Sequence, residues 1–146
     1  MKLAISFLCV VLVGCAKRHR SEVYEFPDGY HGWAVVVWGV PDSPVCLTNQ
    51  NAIIVRFPTN GMFATSTHLD YQAIRDGAYF LNSSGQRLPS HPDIGFAGTG
   101  FMYDDKTRRG MDYTRIFVGT KAEYLASRDT PQVAQLWNTG LSSDEP

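Results

Sequence analysis

A short apolar run preceded by turn residues is the feature that most limits what this chain can fold into. Pro27, Asp28 and Gly29 are turn residues, and Gly32 permits backbone angles that other residues resist. The run that follows, residues 33–38, is β-branched and aromatic and too short for a stable lone helix, which predicts a strand. Because neighbouring side chains of a strand point to opposite faces and both sets are apolar here, we expect a central strand covered on both sides.

Length and charge restrict the class of protein. A chain of 146 residues predicts one domain, and its 13 glycines and 8 prolines indicate many turns. The formal net charge is -1, without the basic stripe that a nucleic-acid-binding surface needs. We therefore predict no nucleic-acid partner.

The first 14 residues have the pattern of an export signal. Lys2 supplies a positive charge, and the apolar stretch 3–13 is too short to span a membrane as a helix. The stretch ends in LVGC, residues 12–15, which resembles the lipobox of bacterial lipoproteins. The resemblance implies cleavage after Gly14, attachment of diacylglycerol to Cys15 and acylation of its new amine. The alternatives are an ordinary signal peptide with an incidental cysteine, or an uncleaved anchor.

These features divide the chain into four parts. We predict a lipoprotein signal peptide over residues 1–14, the lipidated Cys15 and a polar tether over 15–22, a β-sandwich domain over 23–140 and a flexible tail over 141–146. The residue after Cys15 is Ala16 and not Asp, which resembles the signal for passage to the outer membrane. We therefore expect the periplasmic side of the outer membrane in a Gram-negative cell, and the outer face of the plasma membrane in a Gram-positive cell.

The cysteines allow no intramolecular disulfide in the mature chain. Cys9 leaves with the signal peptide and Cys15 is the lipid attachment residue, so Cys46 is left without a partner. We expect Cys46 to be a small buried apolar side chain and not a nucleophile.

Several later segments have the alternation and turn residues of strands. Residues 52–57 and 62–67 flank a turn with Asn60 and Gly61, which predicts a hairpin over 52–67. Residues 68–77 fit either a loop or one helical turn. Further strands are predicted over 78–81, 86–88, 94–103 and 113–118. The strand over 94–103 is expected to have bulges at its glycines.

The carboxyl-terminal region changes to helical patterns. Thr120 and Glu123 have the spacing of a capping box, so a helix should begin at Lys121. Pro131 after Thr130 marks a second helix start. The apolar residues of that second helix fall at the spacing of one face: Val133, Leu136 and Trp137. Together these patterns predict a mainly β sandwich, transthyretin-like or immunoglobulin-like, with short C-terminal helices.

Three groups of motifs give the chain a family resemblance. They are Pro27, Gly29, Tyr30, Gly32 and Trp33; Pro58, Asn60, Gly61, Thr65 and Ser66; and Val118, Gly119, Thr120, Glu123 and Tyr124. With them the chain resembles an uncharacterised family of small bacterial secreted and lipid-anchored proteins. A looser similarity is to transthyretin-like sandwiches, where an Asn-Gly turn also joins two strands. These are turn and core residues, so the resemblance implies a fold and no catalytic residues.

Polar residues that could form a reaction centre are scattered. Ser66, His68 and Asp70 alternate, but side chains two apart on a strand lie about 6.5–7 Å apart, beyond the hydrogen-bond reach of a catalytic triad. The histidines lack metal-ligand spacing, although His91 and Asp93 could contribute to a site completed elsewhere. We therefore predict no catalytic residue, no metal and no cofactor.

The function predicted from sequence is that of a lipid-anchored envelope protein. We expect a non-enzymatic structural or binding module attached to the membrane through a lipid on Cys15, with a protein or ligand partner that the sequence does not specify. The alternative is an envelope enzyme or a small-ligand carrier whose site is assembled from distant loops.

Overall fold

The secondary structure is almost entirely strand. A computed structural model describes residues 20–104, 108–127, Val133 and Trp137. In chain order the elements are β1 (Ser21–Pro27), β2 (Gly32–Trp38), β3 (Leu47–Asn49), β4 (Ala52–Arg56), β5 (Met62–Thr65), β6 (Ile74–Leu81), β7 (Ile94–Asp104), β8 (Arg109–Val118) and α1 (Lys121–Ala126).

The strands form two sheets with β1 and β2 in their interiors. The first sheet has the order β3-β4-β1-β6 and the second has the order β5-β2-β8-β7. β1 pairs in parallel with β4 and β6, and β2 pairs in parallel with β5. The other pairs are antiparallel. This topology differs from that of an immunoglobulin sandwich, in which both sheets are antiparallel.

One apolar core joins the two sheets. Tyr24 and Phe26 of β1 belong to the same buried cluster as Val36 and Trp38 of β2. Phe26 also stacks on Phe57, with ring centroids 4.9 Å apart and the ring planes almost parallel. Side chains from both sheets thus share one interior, which confirms the predicted mainly β sandwich.

The other face of β2 is also covered. Val35 and Val37 pack in a second buried cluster with Met102, Met111 and Val133, and the half-buried Trp137 packs against this cluster. The prediction of a central strand with two apolar faces is confirmed. Val133 and Trp137 are helical, whereas the predicted helix start at Pro131 and the side chain of Leu136 lie outside the described residues.

The predicted hairpin over residues 52–67 is wrong. β4 lies in the first sheet and β5 in the second, so the turn of Pro58 to Gly61 crosses from one sheet to the other. Each strand instead finds a parallel partner in β1 or β2. The apolar sides of β4 and β5 can then face each other across the core, which two neighbours in one sheet cannot do.

The folded part begins earlier than the sequence indicates. β1 starts at Ser21, within the segment 15–22 predicted as a tether, and all of its residues from Glu22 to Phe26 are buried. Two glutamates obscure the apolar pattern of this strand. Ser21 and Glu22 therefore belong to the domain and not to the segment predicted as a tether.

The remaining local predictions can be compared with the structure directly. Residues 68–77 contain the start of β6 at Ile74. The Leu88 amide donates to the Phe80 carbonyl at 2.8 Å, so the predicted return strand pairs as expected. β7 has the predicted irregularity, between Ile94 and Phe96.

The capping box of α1 is confirmed. Thr120 Oγ1 accepts from the Glu123 amide at 3.2 Å, and Glu123 Oε2 accepts from the Thr120 amide at 2.7 Å. α1 has six residues. Within the ranges that the structure describes, no helix has the length and apolarity needed to cross a membrane.

The crossing turn yields a stability prediction at Gly61. Its φ is +72°, and an added Cβ would overlap the Tyr30 hydroxyl and come within 2.8 Å of the Trp33 carbonyl. Tyr30 donates to that same carbonyl at 2.5 Å, so its ring cannot move away without losing the bond. We expect Gly61→Ala to cost more than the roughly 1–3 kcal/mol typical of left-handed backbone strain.

Gly85 provides the matched control. Its φ is +78°, but an added Cβ would meet nothing closer than Arg56, at 3.8 Å. Gly85→Ala should show the backbone strain alone, about 1–3 kcal/mol. Urea denaturation of both variants measures the difference, and equal losses would contradict the proposed clash at Gly61.

Candidate functional site

The predicted lipid attachment residue lies outside the described residues. The structure does show where the chain that follows it enters the domain. Gly14 and Cys15 precede the first described residue, Arg20. The Arg20 carbonyl accepts from the Ile74 amide at 2.9 Å, so the chain enters beside the start of β6.

A buried carboxylate on the outward face of the first sheet organises two arginines. Glu25 has a side chain only 4% exposed. Its Oε2 accepts from Arg56 Nε at 2.9 Å and its Oε1 accepts from Arg87 Nε at 2.9 Å. Arg56 is the register partner of Glu25 on β4, whereas Arg87 arrives from the segment after β6. A buried carboxylate needs such partners, and the pair fixes both guanidinium groups at the sheet surface.

A polar cavity of about 270 Å³ lies next to this centre. The Arg87 guanidinium stacks over the Tyr79 ring, 4.1 Å from its centroid, and His91 packs on Tyr79 with centroids 5.0 Å apart. The cavity is lined by Ser21, Val23, Asn49, Gln50, Asn51, Ala52, Ile54, Asp76, Tyr79 and Arg87. The lining combines amide side chains, the Asp76 carboxylate and the Arg87 guanidinium, so it favours small polar ligands over apolar ones, with Arg87 as the group that can bind an anion.

A second buried carboxylate faces the core. Glu22 Oε2 accepts from the Tyr24 hydroxyl at 2.6 Å. Burial raises the pKa of Glu22, and nearby Asp70 raises it further, while the Tyr24 hydrogen bond and the charge of Arg75 oppose the shift. Burial and the adjacent Glu22 likewise raise the pKa of Tyr24.

Cys46 is buried and free, as the sequence predicts. Its Sγ donates to Thr65 Oγ1 at 3.4 Å, and burial raises the pKa of the thiol. A raised pKa keeps the thiolate population low, so the geometry does not activate Cys46 as a nucleophile.

The histidines contact different parts of the fold. His31 Nε2 lies 3.3 Å from Glu123 Oε1, whereas His91 Nδ1 lies 3.1 Å from the Ala78 carbonyl oxygen. The His68 ring, from the connection between β5 and β6, lies near Gly39, which belongs to the connection between β2 and β3. No group of three or more His, Cys, Asp or Glu side chains within the described ranges has a geometry that could hold a metal ion.

The Ser66, His68 and Asp70 alternation is not part of a strand. β5 ends at Thr65, and the next strand begins at Ile74. The Ser66 amide donates to the Pro44 carbonyl at 3.2 Å, and Asp70 Oδ1 accepts from the Gln72 amide at 3.0 Å. These contacts give the residues local roles in loop structure.

Sequence reasoning missed the two most constrained ionisable groups, Glu22 and Glu25. The signal was present, because two carboxylates stand in a segment with Val23, Tyr24 and Phe26. A charged residue inside an apolar strand is expected to have a buried partner. Tyr24, the partner of Glu22, lies on the same strand, but the partners of Glu25 come from β4 and from the segment after β6, which lie far away in the sequence.

These observations define a class: a small β-sandwich protein with a charged centre on the outward face of one sheet. Residues 18–126 match a family of unknown function, DUF6843, and the chain belongs to that family. No curated protein matches the chain. The fold is similar to the crystal structure of a presumed lipoprotein from Bacillus anthracis, with a TM-score of 0.63 and 24% identity, covering 78% of this chain and 82% of that one.

The pH dependence of stability should reveal the buried Glu22. Its pKa is raised in the folded state, so its contribution to stability is fully present below its unfolded pKa, near 4.5, and is lost as pH rises through the folded pKa. Glu22→Gln keeps an acceptor for Tyr24 but cannot ionise. We expect this substitution to raise the melting temperature, relative to the unmodified protein, more at pH 7 than at pH 4.

Glu123→Gln is the control of opposite sign. Hydrogen bonds from the Thr120 backbone and side chain, together with His31, lower the pKa of Glu123. Its contribution is present above the unfolded pKa and is lost as pH falls through the folded pKa. This variant should therefore lose melting temperature at pH 7 and less at acid pH, and the same pH trend for both variants would refute the assignment.

Proposed function

We propose that this chain is a lipid-anchored protein of the bacterial cell envelope, in which the β-sandwich is a non-enzymatic structural or binding module. The observation behind the proposal is LVGC, residues 12–15, at the end of an apolar stretch of signal-peptide length. The fold likeness to a presumed lipoprotein supports the same assignment. Depending on the envelope of the host, the anchor would lie in the outer membrane or in the outer leaflet of the plasma membrane.

The lipid accounts for most of the membrane affinity in this proposal. Each buried methylene contributes about 0.8 kcal/mol, so several acyl chains on Cys15 hold the protein essentially permanently. Lys17, Arg18 and Arg20 contribute only about 1 kcal/mol each near anionic lipid. The charges therefore adjust the approach of the domain to the surface and do not determine attachment.

The non-enzymatic part of the proposal is supported by the roles of the buried ionisable groups. Both oxygens of Glu25 are bound by arginines, Glu22 is bound by Tyr24, and the Cys46 thiol is bound to Thr65. These partners satisfy buried polar atoms, as structural groups require.

Membrane attachment is predicted to depend on Cys15 and not on the other cysteines. Cys15→Ser should abolish incorporation of labelled palmitate and block cleavage after Gly14. Cys9→Ser and Cys46→Ser are matched controls that should leave labelling intact. Labelling of cells followed by membrane fractionation measures all three.

The tether charges provide a second control on the same prediction. Reversal of Lys17, Arg18 and Arg20 to Glu should leave the protein in the membrane fraction in high salt, because acyl chains are insensitive to screening. Palmitate that persists in Cys15→Ser, or release of the charge-reversed protein by salt, would disprove lipid anchoring.

A small-ligand carrier is the second candidate, and the cavity beside Arg87 favours it. Its lining comes from distant segments, the turn between β3 and β4 together with β1, β6 and Arg87. A carrier of this kind would show a rise in melting temperature with small carboxylates or phosphates that is lost in Arg87→Met. The absence of any such rise would favour the purely structural role.

A further inference from the structure

The chain enters the sandwich at one end, which we call the tether end. Ser21 pairs with Ile74, and the carbonyl of Arg20 accepts from the Ile74 amide. The Tyr71 hydroxyl donates to Asp112 Oδ1 of β8. Asp112 in turn pairs with Trp38, the last residue of β2. The tether, the start of β6 and the end of β2 therefore lie at the same end of the molecule.

The tether end exposes apolar and aromatic side chains. Phe101 of β7 pairs with Asp112 and lies on the same side of the strand as Ala97, which packs against the core between the sheets. Phe101 is nevertheless 66% exposed and Tyr103 is 55% exposed. The end of the β7–β8 hairpin thus extends beyond the cover of the first sheet. Tyr71 and Ile74, at 71% and 62%, continue the exposed surface.

The opposite end of the sandwich has a different surface. Gly32 pairs there with Val118, and α1 follows two residues later. Among the described residues at this end, the exposed large apolar side chain is Leu125 of α1. The aromatic side chains beside α1 pack instead on one another, as in the stack of Phe96 on Tyr124 at 5.0 Å. The exposed aromatic rings are thus concentrated at the end where the tether enters.

We propose that the tether end rests against the lipid bilayer, with Tyr71, Phe101 and Tyr103 in the headgroup region. This inference rests on the proposed anchoring at Cys15. Six residue steps separate Cys15 from Ser21 and span at most about 22 Å when fully extended. A lipidated Cys15 therefore keeps this end close to the membrane surface, and the opposite end with α1 faces away from it.

The chemistry of the surface fits the headgroup region. A Tyr ring combines an apolar body with a polar hydroxyl and is enriched where proteins meet the bilayer interface, and the Phe ring adds apolar area that can insert at the acyl boundary. Arg75 and Arg109 lie there among Asp76 and Asp112. With charges of both signs interleaved, apolar contact and not net charge determines the docking, so it should persist in high salt.

Site-directed fluorescence on the full lipidated protein tests this orientation. Phe101→Cys and Tyr103→Cys, each in a Cys46→Ser background, receive an environment-sensitive fluorophore. Leu125→Cys at the opposite end is the matched control. The proteins are reconstituted into phosphatidylethanolamine–phosphatidylglycerol vesicles that contain a lipid with a spin label at shallow depth. Mass spectrometry establishes acylation of Cys15 in each sample, and melting temperatures establish that each variant is folded.

We expect a blue shift of emission and a loss of fluorescence by lipid quenching in Phe101→Cys and Tyr103→Cys, and neither in Leu125→Cys, with the same result in high salt. Acylated protein without quenching at any position would overturn the docking and leave the anchoring intact. Self-quenching that grows with the protein-to-lipid ratio, without lipid quenching, would assign the surface to a second copy of the chain and also overturn it. Absence of acyl chains on Cys15 would overturn both proposals.

Discussion

The structure depends on the apolar contact between β1 and β2, two consecutive strands that lie in opposite sheets. Tyr24 and Phe26 meet Val36 and Trp38 across one core, and the connection from Asp28 to His31 carries the chain from one sheet to the other. Burial of such large side chains contributes about 1.5–3 kcal/mol each relative to their exposure. β4 and β6 flank β1, β5 and β8 flank β2, and β3 and β7 complete the sheets at their outer edges, so each of the two strands lies in the interior of its sheet.

The sequence was sufficient wherever a local rule determines the structure. The burial of β2 on both faces followed from its composition, and the capping box at Thr120 and Glu123 followed from residue spacing. The partner of a strand is not a local property. The Asn60-Gly61 turn tolerates the backbone angles of a hairpin, but the same angles also fit a crossing between sheets. The crossing forms because β4 pairs in parallel with β1 and β5 pairs in parallel with β2.

The candidate site shows the same division between local and distant information. Cys15 and Gly14 are predicted from adjacent residues, because a lipobox is a linear motif. The centre at Glu25 needs Arg56 from β4 and Arg87 from the segment after β6, which no local pattern connects. The two arginines can be recognised as partners of Glu25 only in the folded structure, where the parallel register places Arg56 beside Glu25 and the segment after β6 brings Arg87 to the same carboxylate. Buried charged groups of this kind favour one strand register over its neighbours, since a shift by one residue would leave Glu25 without its partners.

The parallel pairing of β1 has a consequence for the order of folding. β1 is the first strand to be synthesised, yet its two neighbours are residues 52–56 and 74–81. Contacts between residues so far apart in sequence must overcome a large loop-closure entropy before they stabilise anything, and chains dominated by such contacts fold slowly. The first sheet therefore cannot be completed until the chain has reached Leu81. Until then one edge of β1 has no partner, and a chaperone can bind this open edge.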